Sequence, residues 1–136
     1  MSVKIVKDIM HKGVIACHPN TAVTEVVRVL ADTEVHAIVV TGPDGELTGI
    51  ISHMDVIPLF GQPLEGKTAG EIMKTDLITV GQDTPIDEAI GLMTARGIKR
   101  LPVVGPDGTF LGMISRDSLL RAAITGGQES GYASIG

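Results

Sequence analysis

At 136 residues and a net charge of -5, the chain has room for one ordinary domain or two half-sized units. No basic run is longer than Lys99-Arg100 and only 2% of residues are aromatic, which argues against electrostatic capture of nucleic acid or an anionic membrane and against base stacking. No stretch approaches the ~18 apolar residues of a membrane span and residues 1–8 lack the apolar run of a secretion signal, so the expected location is the cytoplasm. The lone Cys17 agrees with a reducing compartment and reads as a small apolar core residue.

In chain order, residues 14–17 read as a short strand. An amphipathic helix follows, with apolar residues at Val23, Val26, Val27 and Leu30, the spacing of one buried helix face. Residues 37–40 and 47–52 read as strands around the turn Gly42-Pro43-Asp44-Gly45, where proline suits the first central position and glycine permits positive φ. A last helix is expected over 55–60. After residues 61–68, which read as a linker, the pattern returns. Residues 77–80 form a strand, and Ile86, Ala89, Ile90 and Met93 form a helix stripe. Thr84-Pro85 is read as cap and first helical residue, and Gly97 as the left-handed stop. Residues 101–104 and 110–115 are strands around Gly105-Pro106-Asp107-Gly108, and residues 117–124 form a final helix.

The second half is a copy of the first. A shift of 63 positions superposes Ile9 on Ile72, Met10 on Met73, Ile15 on Ile78, Thr21 on Thr84, Glu25 on Glu88 and Val40 on Val103. It also superposes the two Gly-Pro-Asp-Gly turns, and Gly49, Ile51 and Ser52 on Gly112, Ile114 and Ser115. The expected organisation is a first repeat over 1–60, the linker, a second repeat over 69–124 and a flexible tail over 125–136. Each repeat has the order β-α-β-β-α, a mixed α/β unit with one parallel crossover and one antiparallel hairpin. Some 55 residues make too small a core to stand alone comfortably, so the copies are expected to pack together.

At the openings Asp8-Ile9-Met10 and Glu71-Ile72-Met73, the strands around residues 35–40 and 98–104, and the segments Gly49-Ile50-Ile51-Ser52 and Gly112-Met113-Ile114-Ser115, the chain resembles a tandem pair of cystathionine β-synthase (CBS) domains, a Bateman module. The resemblance implies two repeats packed about a pseudo-twofold axis. It also implies clefts that take AMP, ADP, ATP or S-adenosylmethionine, pairing of modules into a homodimer, and regulation of a separate protein without catalysis.

The sharpest local motif is Ser52-His53-Met54-Asp55, which matches the family's Ser/Thr-x-x-Asp pattern. A carboxylate there can accept hydrogen bonds from ribose hydroxyls, and a serine at a helix start can face phosphate. The same residues also spell a helix capping box, which needs no ligand. The resemblance adds Met54, His36 and Ile50 from the first repeat, with Ile78 and Ile98 to sandwich an adenine and Lys99 and Arg100 to neutralise phosphates. The second copy reads Ser115-Arg116-Asp117-Ser118, so Ser118 stands opposite Asp55. Ser115 and Asp117 remain ligand candidates, although a one-residue offset rotates a helical side chain by ~100°.

His11, His18, His36 and His53 make no recognised metal spacing, and neither nucleophile elbow nor Walker loop occurs. No enzyme, metal or tightly held cofactor is expected. The competing reading is a structural dimerisation module with empty clefts, since the apolar residues of both last helices exceed what a small sheet can cover. Redox sensing through Cys17 is a weaker third.

Overall fold

The structure, a computed structural model, describes residues 5–125, so the tail expected over 125–136 lies, but for its first residue, outside the described residues. Two compact units emerge, and they cut across the repeats: residues 14–77 form one, and residues 5–13 with 78–125 form the other.

In the first unit, β1 (Ile15–Cys17) leads through α1 (Val23–Asp32) to β2 (Ala37–Thr41) and β3 (Leu47–Ser52), followed by α2 (His53–Val56), a 3-10 turn (Ile57–Leu59) and α3 (Ala69–Ile72). The sheet order is β1-β2-β3, with β1 parallel to β2 and β2 antiparallel to β3. Val26 and Leu30 of α1 pack with Ile38 and Val40 of β2, Ile51 of β3 and Ala69 of α3. Alternate strand residues therefore face the helix stripe.

The second unit repeats this plan. Here β4 (Val80–Gly81), α4 (Ile86–Arg96), β5 (Arg100–Val104), β6 (Phe110–Ser115) and α5 (Arg116–Thr125) follow in order. Again the first pair is parallel and the second antiparallel. Its core joins Ile86, Ala89 and Met93 of α4 to Leu101 and Val103 of β5 and Ile114 of β6.

Both hairpins close alike. Gly45 and Gly108 donate to the Gly42 and Gly105 carbonyls at 3.0 Å, with φ of 82° and 87°. The register slips by one residue beside each turn, between Val40 and Thr41 and between Val103 and Val104. Proline starts the turn, and the left-handed glycine makes the bulge that returns the chain in register.

Three local expectations give way to the structure. Residues 77–79 are not strand, and only Val80–Gly81 pairs with β5. Pro85, not Thr84, is the N-cap of α4; the Thr84 hydroxyl instead accepts the Gly81 N–H at 3.0 Å, closing the turn before the helix. The helix expected over 55–60 is four residues of α2 and a 3-10 turn. Pro58 lacks the N–H an α-helix needs there, and its ring crowds the preceding turn. Its counterpart in the second repeat is Arg121, and α5 runs on to Thr125. Gly97 ends α4 at φ 64°, as a left-handed stop.

The opening segment of each repeat belongs to the unit of the other. Val6 and Lys7 donate to the carbonyls of Thr84 and Gln82 at 2.8 and 2.9 Å; Ala69 and Gly70 donate to those of Thr21 and Pro19, both at 2.8 Å. His11 and Met113 exchange two backbone bonds, at 3.0 and 2.8 Å, as do Lys74 and Ile50. Every pair maps onto its counterpart by the shift of 63. Apolar side chains travel with the backbone, so that Val6 and Ile9 enter the second unit's core while Ala69, Ile72 and Met73 pack in the first. Among the described residues, no helix is long and apolar enough to cross a membrane.

Candidate functional site

In the first unit the candidate residues gather where β3 passes into α2. Ser52 ends the strand in extended conformation and caps the helix. Its N–H donates to the Asp55 Oδ2 at 2.8 Å and its hydroxyl to the same oxygen at 3.2 Å. Asp55 thus completes a capping box, which satisfies amides that the helix start would otherwise leave open. The second carboxylate oxygen has no protein donor among the described residues. The cap therefore engages one oxygen and leaves the other available.

His36 precedes β2 and His53 opens α2, and both are exposed. Their rings stand edge to face with centroids 6.3 Å apart. Met54 is also exposed, whereas Ile50 is buried and pairs through its backbone with Lys74. The structure thus brings His36, Ser52, His53 and Asp55 to one end of this sheet, with Ile50 behind them.

In the second unit the same junction is built from serines. Ser115 donates its N–H to the Ser118 hydroxyl at 3.3 Å, Ser118 returns its N–H to the Ser115 hydroxyl at 3.2 Å, and the two hydroxyls lie 3.0 Å apart. Ser118 is 2% exposed and holds the place of Asp55, while Asp117 is exposed on the next face of the helix. Ile78 and Ile98 are half-buried and pack against the core, so each has a structural role in its own unit.

Arg100 lies directly across the ladder from Ser115, and the Arg116 N–H donates to the Lys99 carbonyl at 3.2 Å. Burial, and then the neighbouring Arg116 charge, push the Arg100 guanidinium below its ordinary value, since a like charge and desolvation both disfavour the cation. Lys99, Arg100 and Arg116 make no ion pair among the described residues. Arg116 went unnoticed in the sequence as a filler position of the Ser-x-x-Asp pattern. The repeat itself marks it, because the shift of 63 places Lys99 on His36 and Arg116 on His53.

A groove of about 470 Å³ in the second unit runs between α4 and α5, lined by Ile90, Met93, Ile98, Leu119 and Leu120 with Arg116 at its edge. Cys17 packs partly against the first core, and burial raises its thiol above the ordinary value, offset in part by the Thr21 hydroxyl. That is the opposite of an activated thiolate. Among the described residues no three His, Cys, Asp or Glu side chains converge in a metal-binding group.

The CBS domain family pattern matches twice, over residues 6–60 and 69–125. The chain belongs to the CBS domain family. CBSX2 of Arabidopsis thaliana, solved in complex with AMP, is 26% identical with a TM-score of 0.82, covering 90% of this chain and 97% of that one. The CBS domain pair of protein MJ0100, solved with methylthioadenosine and S-adenosyl-L-methionine, is 28% identical with a TM-score of 0.74, covering 88% and 94%. The L-aspartate semialdehyde sulfurtransferase of Methanocaldococcus jannaschii is 29% identical over 119 residues. This CBS chain matches that relative over 88% of its own length but only 23% of the enzyme's.

Proposed function

We propose that this CBS pair is a non-catalytic regulatory module that binds an adenosyl ligand, AMP, ADP, ATP or S-adenosylmethionine, and modulates a separate partner protein in the cytoplasm. The observation that carries this reading is the Ser52–Asp55 pair, in which the cap engages one carboxylate oxygen and leaves the other for a ribose hydroxyl. The similar CBS pairs solved with AMP and with S-adenosyl-L-methionine support it. His36, Met54 and Ile50 are the first repeat's other candidate contributors. Ile78, Ile98, Lys99, Arg100, Ser115 and Asp117 are the second repeat's candidate contributors. For the ligand to act as a switch, it must favour one conformation by its difference in affinity for the two.

Thermal unfolding with AMP, ATP and S-adenosylmethionine added singly tests this. A ligand at ~100 times its dissociation constant adds ~2.7 kcal/mol of stability. A chain stabilised by none of the three is not an adenosyl sensor.

A second reading, a structural dimerisation module, draws on the last helices. Phe60 is 95% exposed and Ile124 86% exposed, and the α4–α5 groove is lined almost wholly by apolar side chains. A contiguous apolar groove of this kind marks an interaction site, and a second copy of this chain is the proposed occupant. Sedimentation of the wild type against Leu120→Glu tests it: a dimer that becomes a monomer supports the reading, and a monomeric wild type removes it. Homodimerisation and ligand binding are compatible.

A further inference from the structure

We propose that His36 and His53 form a two-imidazole site on the first unit for a divalent late transition-metal ion, of the class of Ni²⁺, Cu²⁺ and Zn²⁺. The antiparallel ladder pairs Ala37 with Ser52, and His36 and His53 are the next residues outward on the two chains. Far apart in sequence, they become cross-strand neighbours, the placement at which two side chains meet most closely across a sheet. Spacing along the chain could not show this pair. Their rings stand edge to face, with centroids 6.3 Å apart and planes at 79°. A metal–imidazole bond is ~2.0–2.1 Å long, so one ion fits between the two rings, bonded to a nitrogen of each. Both side chains are exposed, and exposed side chains turn between rotamers freely, which lets the nitrogens face a shared ion.

Among the described residues neither ring makes a hydrogen bond or an ion pair, whereas the His18 Nδ1 lies 3.4 Å from the Thr41 carbonyl oxygen. The backbone on both sides is already fixed, since His36 leads into β2 and His53 opens α2 behind the Ser52–Asp55 capping box. Two ligands held ready in this way lose little freedom when an ion joins them. Imidazole suits zinc, copper and nickel, while carboxylate and water suit magnesium and calcium. No third His, Cys, Asp or Glu among the described residues completes the set, so the ion keeps open positions for water or an anion and exchanges readily, unlike a closed four-ligand structural site. The second repeat cannot repeat the arrangement. The shift of 63 puts Lys99 and Arg116 at these two positions, and their cationic ends have no lone pair to offer. One ion per chain is therefore expected, tying the start of β2 to the start of α2 and stiffening the junction that carries Asp55.

The test is calorimetric titration and unfolding temperature of the full chain, free of any affinity tag, with Ni²⁺, Zn²⁺ and Mg²⁺ added singly to metal-free buffer. Ni²⁺ and Zn²⁺ are expected to bind at one ion per chain and to raise the unfolding temperature, and Mg²⁺, a hard cation that prefers oxygen, to do neither. His36→Gln and His53→Gln should each weaken Ni²⁺ binding roughly tenfold or more, because the second ligand of a chelate binds at high effective concentration. Both positions are exposed, and unfolding without metal verifies that the variants fold. His18→Gln removes an exposed histidine at the other end of β2 and should leave the affinity unchanged. The proposal is overturned if neither Ni²⁺ nor Zn²⁺ binds, if Mg²⁺ binds as well as Ni²⁺, if either paired variant keeps full affinity, or if His18→Gln weakens binding equally; the ring contact is then edge-to-face packing alone. Stabilisation by AMP in metal-free buffer, and its dependence on Asp55, stands or falls separately from these results.

Discussion

The hydroxyls of Ser115 and Ser118 lie 3.0 Å apart, and the same three-residue step in the first repeat joins Ser52 to the Asp55 carboxylate at 2.8 Å. One backbone device serves both junctions, but only one copy carries a charge. Asp55→Ala should therefore cost about 1 kcal/mol through the lost cap and abolish stabilisation by AMP. Ser118→Ala should leave most of the AMP effect. Unfolding temperatures with and without AMP measure both, and equal losses from the two variants would mean that Asp55 has no special part in binding.

Leu101 and Ile114 are cross-strand neighbours, fully buried in the second core. Truncating Leu101 to alanine removes packed methyl groups from a site walled by strand and helix, so Leu101→Ala should destabilise by ~2–5 kcal/mol. Urea unfolding checks this. A loss below the lower bound would mean that the aliphatic core closes around the gap.

Gly112 sits where the opening segment crosses the second sheet. A Cβ there would lie 2.9 Å from the His11 carbonyl oxygen, which is held in a two-bond bridge to Met113. At Gly49 the obstruction is Met73, with Sδ at 2.5 Å, Cγ at 2.7 Å and Cβ at 2.9 Å; the thioether can swing aside, but the Cβ moves only with its backbone, which is hydrogen-bonded to Ala69. Gly112→Ala and Gly49→Ala should each cost ~1–3 kcal/mol. Denaturant midpoints of the two variants decide, and an unchanged midpoint in either would show that the segment crossing that glycine yields without cost.

Asp107 accepts the Thr109 N–H at 3.1 Å in the second hairpin, and the bonds from Thr109 hold its carboxyl below its ordinary value of 3.8. A carboxyl with a depressed folded-state value contributes stability that is complete above the unfolded-state value and is lost as pH falls through the folded one. Asp107→Asn should thus lower stability at neutral pH, with the difference from wild type shrinking below pH 3.8. Chemical unfolding at neutral and acidic pH measures it, and a difference constant with pH would exclude the carboxylate as its source.

Much of the architecture was legible in the sequence. The strands expected over 47–52 and 110–115 match β3 and β6, because a Gly-Pro-Asp-Gly turn fixes where each begins and a serine cap where it ends. Of the predicted α1 stripe, Val23, Val26 and Leu30 are buried as the spacing implies, while Val27 at its edge is only half-buried. The partners of the opening segments were not legible. Matching Ile9 to Ile72 shows that two segments are alike, but periodicity within a segment carries no information about which sheet it joins. Arg116 escaped notice because its value lies in its neighbours across the ladder. The shortened α2 was readable in principle, since Pro58 alone forbids the longer helix.

The reciprocal placement of residues 5–13 and 69–77 bears on how this gene can be cut. A break anywhere in the 61–68 connection would release two polypeptides, each carrying the strap that its sibling requires and lacking its own. Neither product inherits a whole hydrophobic interior, so the first unit has to be excised as the continuous stretch 14–77, whereas the second has to be stitched together by fusing its 5–13 strap back onto the body it serves.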